Sequence, residues 1–244
     1  MKNILYLLLA ATLLSLASCQ EIDNWEEPNA RLYGNVIDEY TGQNLLMDNN
    51  DWQIRIIDRT WENNNPGTVA QFQSLAVARD GVYNNSKLFS GIYDMLPYDG
   101  PFWPVDTVKG VILDKETQQN FTVKPYLQLT NFTATLEGTN LTLACNVRAP
   151  IVADLPNLYE VKGFLSLTTF CGNSNYINIG EYNNLRKNIN KTWAAEVGTA
   201  DNKDYTLGPF PVKSGYTYYV RIGANVNALS RRYNYTEIIK VVVP

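Results

Sequence analysis

Residues 131–147 read NFTATLEGTNLTLACNV, and the period of this stretch decides the fold. From Asn131 to Leu136 apolar and polar residues alternate, the two-residue period of an extended strand. Glu137-Gly138-Thr139-Asn140 is turn chemistry. Beyond it Leu141, Leu143, Cys145 and Val147 share one face of the next strand. A strand, a turn and a returning strand with one apolar face imply a sheet that packs against something else.

The pattern recurs on both sides. Upstream, Arg31 to Asp38 reads as a strand, Glu39-Tyr40-Thr41-Gly42 as a turn, and Trp52 to Ile56 alternates. Asp80-Gly81 marks another turn. Leu88-Phe89, Gly91 to Leu96, Val108 to Leu113 and Asn120 to Leu127 continue the series. Downstream, Val161 to Phe170 is a third strand of the later series, and Glu237 to Val243 is the last. Tyr182 to Trp193 reads as a helical turn or a long polar loop, and its Asn-rich composition favours the loop. Helical periodicity is nearly absent, and there is no tandem repeat or low-complexity tract. The expectation is an all-β chain of two consecutive β-sandwich modules, residues 30–127 and 128–244.

Composition narrows the chemistry. The chain has 244 residues, 45% hydrophobic and 18% charged, enough apolar material for real cores. Sixteen tyrosines outnumber 8 phenylalanines and 5 tryptophans; Tyr and Trp join apolar area to a polar handle and suit strands and binding faces. Histidine is absent. That excludes a Ser–His–Asp triad, a Cys–His dyad and any His-ligated zinc site. A carboxylate-pair mechanism and a carboxylate calcium site survive. The net charge is −4 and no long basic run exists, so nucleic acid is not an expected partner.

The N-terminus carries an address. Lys2 precedes an apolar run from Ile4 to Leu16 that is too short to span a bilayer comfortably, as in a secretory signal. Leu16-Ala17-Ser18-Cys19 resembles the bacterial lipobox. The resemblance implies a signal peptide of residues 1–18, cleavage before Cys19, and a diacylglyceryl group on the Cys19 sulfur that anchors the protein in outer-membrane lipid. Cleavage removes Lys2 alone among charged residues. Residues 19–29 form an acidic tether. Gln20 to Asp23 and Trp25 to Pro28 resemble the acidic signal that sends Bacteroidetes lipoproteins to the exterior face of the outer membrane; an acidic solvated tether is the other reading.

Further resemblances follow from specific spacings. Gly34-x-Val36-x-Asp38-x-x-Thr41-Gly42-x-x-Leu45, with the later Gly91-x-Tyr93, resembles carboxypeptidase-regulatory-like domains, which are prealbumin-like sandwiches without catalysis of their own. Val212-x-x-Gly215-x-x-Tyr218-x-Val220-x-Ile222 resembles the corner and following strand of fibronectin type III, immunoglobulin-like domains. There a tyrosine hydroxyl is tied to backbone upstream, a role that falls to Tyr218. Residues 81–107, GVYNNSKLFSGIYDMLPYDGPFWPVDT, and 121–127, FTVKPYL, resemble a Bacteroidetes lipoprotein family of unknown function. That family is encoded with starch-utilisation-type glycan uptake systems. It implies membership of such a system and supplies no catalytic residues.

Several constellations could carry function. Tyr98-Asp99-Gly100-Pro101-Phe102-Trp103-Pro104 is a loop stiffened by two prolines. Tyr98, Phe102 and Trp103 could form a surface that stacks on sugar rings, or Phe102 and Trp103 could fold back and cap a sandwich. Asp48-Asn49-Asn50-Asp51 could offer oxygens to calcium, but a chain of Asx turns fits better. Cys145 and Cys171 both sit at core-facing positions, as a disulfide or as two buried thiols. Asp106-Thr107-Val108 resembles the three-residue O-glycosylation site of Bacteroidetes envelope proteins, with Thr107 as acceptor. Asp114, Glu116, Asp154 and Glu160 are the candidate acids for hydrolysis, but nothing local forces a pair together. No cofactor is expected. The sequence thus points to a non-catalytic surface lipoprotein that binds polysaccharide or oligosaccharide, or else to a module that docks proteins of a glycan uptake complex.

Overall fold

The computed structural model describes residues 27–49, 51–177 and 185–244. The signal peptide, Cys19, most of the tether, Asn50 and Tyr182 lie outside the described residues.

The first module holds β1 (Ala30–Asp38), β2 (Gln53–Asp58), α1 (Arg59–Asn64), β3 (Gln73–Ala76), β4 (Val82–Leu88), β5 (Gly91–Tyr98), β6 (Val108–Leu113), β7 (Glu116–Gln118) and β8 (Phe121–Val123). One sheet runs β4–β1–β7, with β8 also on β1; the other runs β3–β2–β5–β6. Burial alternates along all of β1, as a two-residue period demands. Leu32, Val36, Ile54, Ile56, Met95 and Val123 fill the core between the sheets. β1 pairs in parallel first with β7 and then with β8, and Gly34 stands where the partner strand changes. A Cβ there would lie 2.0 Å from the Gln119 carbonyl oxygen, so only glycine admits the crossing. Helix α1, which the sequence pattern does not announce, is started by Asp58, whose side chain accepts from the Trp61 N–H at 2.9 Å.

The second module holds β9 (Gln128–Glu137), β10 (Asn140–Arg148), β11 (Leu158–Ser166), β12 (Arg186–Lys191), α2 (Trp193–Val197), β13 (Asn202–Pro211), β14 (Thr217–Val226), β15 (Tyr233–Tyr235) and β16 (Ile239–Val242). The sheet β13–β10–β9 packs on β12–β11–β14–β15, with β16 also on β14. β9 and β10 are the hairpin of residues 131–147, and Leu141, Leu143, Cys145 and Val147 all face the core. The fold is all-β, two sandwiches in series. Leu127 packs in the second core rather than the first.

Two strand expectations are corrected. The strand expected to reach Phe170 stops at Ser166, where Ser166 Oγ accepts from the Thr168 N–H at 3.2 Å and bends the chain outward. The polar segment before Trp193, read as a loop, contains β12, antiparallel to β11. It is an edge strand whose residues are nearly all exposed, so burial never imposed an apolar alternation on it.

Cys145 and Cys171 are free and buried, which corrects the disulfide alternative. Cys145 lies in the core between the sheets. Cys171 packs with Phe164, Tyr233 and Tyr235 on the outer face of the five-stranded sheet. The sheet itself separates the two thiols. Burial pushes each thiol up to about 12, so both are inert at neutral pH.

Candidate binding site at the seam between the modules

β14 is buried on both faces along most of its length. Tyr218, Val220, Ile222, Ala224 and Val226 enter the second core. The intervening Tyr219, Arg221, Gly223 and Asn225 therefore face the other way, toward the first module. Arg221 is only 2% exposed. Its Nη1 donates to the Met47 carbonyl at 3.0 Å, its Nη2 lies 3.5 Å from Asp48 Oδ1, and its guanidinium sits 3.6 Å from the Tyr235 ring centroid. Gly172 makes room: a Cβ there would lie 2.1 Å from Nη2. Asp48 also accepts from the backbone N–H groups of Ser174 and Asn49.

A second clasp lies nearby. Arg232 Nη1 donates to Asp51 Oδ1 at 3.0 Å, and its Nη2 lies 3.5 Å from Asp99 Oδ2. The Ser230 hydroxyl donates to Asp99 Oδ1 at 2.6 Å. Burial pushes the Asp51 carboxyl up to about 6, outweighing the opposing pull of Arg232. Asp48 and Asp51, read within a run of Asx turns or calcium ligands, are thus inter-module anchors. Among the described residues no three or more His, Cys, Asp or Glu side chains are grouped so as to hold a metal ion. Removing one member of a buried pair strands the other charge at a cost of about 3–5 kcal/mol, so these residues fix how the modules dock.

The aromatic loop is also structural. Phe102 is buried and meets Trp52 edge-on, centroids 5.0 Å apart. This corrects its assignment as a ligand contact: its ring caps the first core. Trp103 is half-buried against Tyr126, centroids 5.2 Å apart. Its backbone N–H donates to the Lys124 carbonyl at 2.8 Å, and the Tyr126 N–H donates to the Pro101 carbonyl at 3.0 Å. Tyr98 is half-buried with the Arg55 guanidinium over its ring at 3.3 Å. It lines a cleft of about 270 Å³ with Asp99, Tyr126, Leu229 and Arg231. The three rings do not form one exposed platform.

A larger cleft of about 570 Å³ lies along the seam. The first module contributes Leu46, Asn49, Ala78, Arg79 and Asp80. The second contributes Phe170, Tyr219, Glu237, Ile238 and Lys240, among others, with Arg221 beneath. Phe170 is 49% exposed because the chain turned outward at Ser166. The Arg79 guanidinium lies 4.1 Å from the Phe170 centroid and donates to the Thr169 carbonyl, so it too crosses the seam. Aromatic faces with planar polar groups at the rim can hold a ring-shaped, hydroxyl-rich ligand by stacking and hydrogen bonds. Sequence reading missed this site. Its residues come from five separate stretches, and Phe170 was counted as an ordinary strand residue.

The remaining candidates stay apart. Tyr218 is buried, and its hydroxyl accepts from the Lys213 N–H at 3.1 Å, as a corner residue should. Thr107 is exposed at the entry to β6. Glu160 is buried, with one oxygen engaged by Arg186 and the other by the Tyr233 hydroxyl. Asp114 and Glu116 belong to the first module, and none of Asp114, Glu116, Asp154 or Glu160 lines either cleft.

Solved structures share the fold at low identity. One, from Bacteroides uniformis, is provisionally described as a carbohydrate-binding protein; it is 20% identical with a TM-score of 0.73 and covers 88% of this chain and 99% of its own. A DUF3823 family protein from Bacteroides uniformis is 20% identical, with a TM-score of 0.71 and coverage of 89% and 100%. Another from Parabacteroides merdae is 19% identical, with a TM-score of 0.65 and coverage of 88% and 100%. No curated protein matches the chain. Residues 30–124 match the N-terminal domain of the protein family of unknown function DUF3823, and residues 127–240 match the domain of unknown function that forms its C-terminal part. The two matches tile both sandwiches, so the chain belongs to the DUF3823 family.

Proposed function

We propose that the protein is a non-catalytic surface lipoprotein that captures glycan in the seam cleft. The observation that carries this reading is the pairing of exposed Phe170 and half-exposed Tyr219 with the polar rim of Arg79, Asp80, Glu237 and Lys240. The fold neighbour described as carbohydrate-binding is consistent with it. In this reading Cys19 holds the chain to outer-membrane lipid facing the cell exterior. The first sandwich corresponds to a carboxypeptidase-regulatory-like module and the second to a fibronectin type III-like one. The protein serves a starch-utilisation-type uptake system, and Thr107 is available for O-glycosylation. Capture needs only modest affinity per molecule, because many tethered copies add avidity.

Affinity electrophoresis through polysaccharide gels tests the binding. The protein should be retarded in at least one gel, and Phe170→Ala should run faster in that gel while keeping its melting temperature, because Phe170 is half-exposed. Equal mobility of the native protein in every gel would overturn the reading. Cys19→Ala should release the protein from membranes; persistence in the outer-membrane fraction after a salt wash would overturn the anchor.

A second reading, docking of other proteins of the uptake complex, is favoured by one observation. Ile92 and Ile112 are directly paired across β5 and β6 and are 42% and 72% exposed. β6 is the edge of its sheet, where an incoming strand could add.

A further inference from the structure

We infer that the ligand of the seam cleft is an uncharged saccharide chain lying across both modules, and not an acidic one; this rests on the glycan reading above. The argument begins with charge. Three basic groups, Arg79, Arg221 and Lys240, and two acidic groups, Asp80 and Glu237, line the cleft. Arg221 adds no free positive charge from below. Asp48 faces its Nη2 across 3.5 Å, and the Arg221 Nε and Nη2 atoms, which make no hydrogen bond, are buried beneath the floor, out of reach of a ligand in the cleft. Arg79 is already committed to the Phe170 face and the Thr169 carbonyl. A uronate or sulfate entering the cleft would therefore meet Asp80 and Glu237 with the single point charge of Lys240, and no unengaged arginine fork, to offset them. An uncharged sugar meets no such repulsion. Its hydroxyls can donate to the two carboxylates and accept from Lys240 and the Asn49 amide, while its apolar ring face lies on Phe170 or Tyr219.

The second half of the inference is geometric. Asn49, Arg79 and Asp80 come from the first module, and Phe170, Tyr219, Glu237 and Lys240 from the second. A chain filling the cleft touches both. Asp80 on one side and Glu237 on the other are exposed, so each can be changed without disturbing a core.

The test compares gels and solution titrations of uncharged polysaccharides (starch, xyloglucan, galactomannan) with acidic ones (polygalacturonate, alginate, chondroitin sulfate). Binding should be confined to uncharged chains, and affinity should change less than about twofold between roughly 0.05 and 0.5 M salt, since no ion pair with the ligand exists to be screened. Phe170→Ala should weaken binding about tenfold. Asp80→Ala and Glu237→Ala should each weaken it severalfold with circular dichroism unchanged; the melting temperature should hold for Glu237→Ala and fall only slightly for Asp80→Ala, which gives up the turn hydrogen bond from the Val82 N–H. Preference for acidic chains, with affinity falling as salt rises, overturns the uncharged ligand but leaves glycan capture standing. Loss of binding in Glu237→Ala with none in Asp80→Ala overturns the placement across the seam. Failure of all six polysaccharides to bind overturns this inference together with the glycan reading on which it rests.

Discussion

The two sandwich cores and the seam between them are held by different chemistry. Each core is a stack of alternating apolar side chains: Leu141, Leu143 and Val147 against Val220 and Ile222 in the second module, and Leu32 and Val36 with Ile54 and Ile56 in the first. The seam is polar and aromatic, with Arg221 on Asp48 and Tyr235, and Arg232 on Asp51 and Asp99. A core asks only for apolar area, at about 25 cal/mol per Å² buried, and many side chains can supply it. A buried ion pair asks for specific partners at specific places. The cores make the modules stable, whereas the seam makes one mutual orientation, and with it the cleft, stable.

That contrast can be broken most sharply at Arg221. Arg221→Ala leaves Asp48 buried without its cation and should cost about 3–5 kcal/mol. The loss should appear in denaturant titration as a separation of the two modules' transitions. A single transition shifted as a whole would mean the seam is no weaker a joint than the cores. Leu143→Ala, by contrast, opens a cavity in the second core and should cost about 2–5 kcal/mol. Its effect should fall on the transition of the second module, leaving hydrogen exchange in β1 and β2 unchanged at native conditions.

The seam should also respond to pH where the cores do not. Asp51 sits at about 6 in the folded chain against an ordinary 3.8. Between those values the folded state binds more protons than the unfolded one, so stability from this group falls as pH rises through the window. Lowering the pH from about 7 to about 5 should stabilise the native protein relative to Asp51→Asn by roughly 1 kcal/mol. Parallel stability curves for the two proteins would show that Asp51 does not titrate in this range. The smallest effect is expected within a core. Tyr218→Phe removes one hydrogen bond to the Lys213 N–H and should cost about 1 kcal/mol or less. An unchanged melting temperature would remove Tyr218 from the corner role.

Legibility follows the same divide. The hairpin of residues 131–147, β1 and the Tyr218 corner were readable because burial of one face writes a two-residue period into local sequence. β12 was not, since an exposed edge strand is under no such demand. The loop at Tyr98 to Pro104 was conspicuous for its rings, yet Phe102 serves the first core. The candidate cleft was unreadable: its lining residues are scattered from Leu46 to Lys240, and none is unusual in its own neighbourhood.

By itself the sequence determined an all-β chain with apolar faces for two hydrophobic cores, and no histidine chemistry. These are properties of composition and of short-range alternation, which act before any long-range contact forms. Only the tertiary structure decided that Asp48 and Asp51 answer arginines more than 170 residues away, that Cys145 and Cys171 lie on opposite sides of one sheet, and that Phe170 faces an open cleft. Such facts depend on how two finished sandwiches dock. Docking is set by a few specific polar pairs across the seam, which leave no periodic trace along the chain.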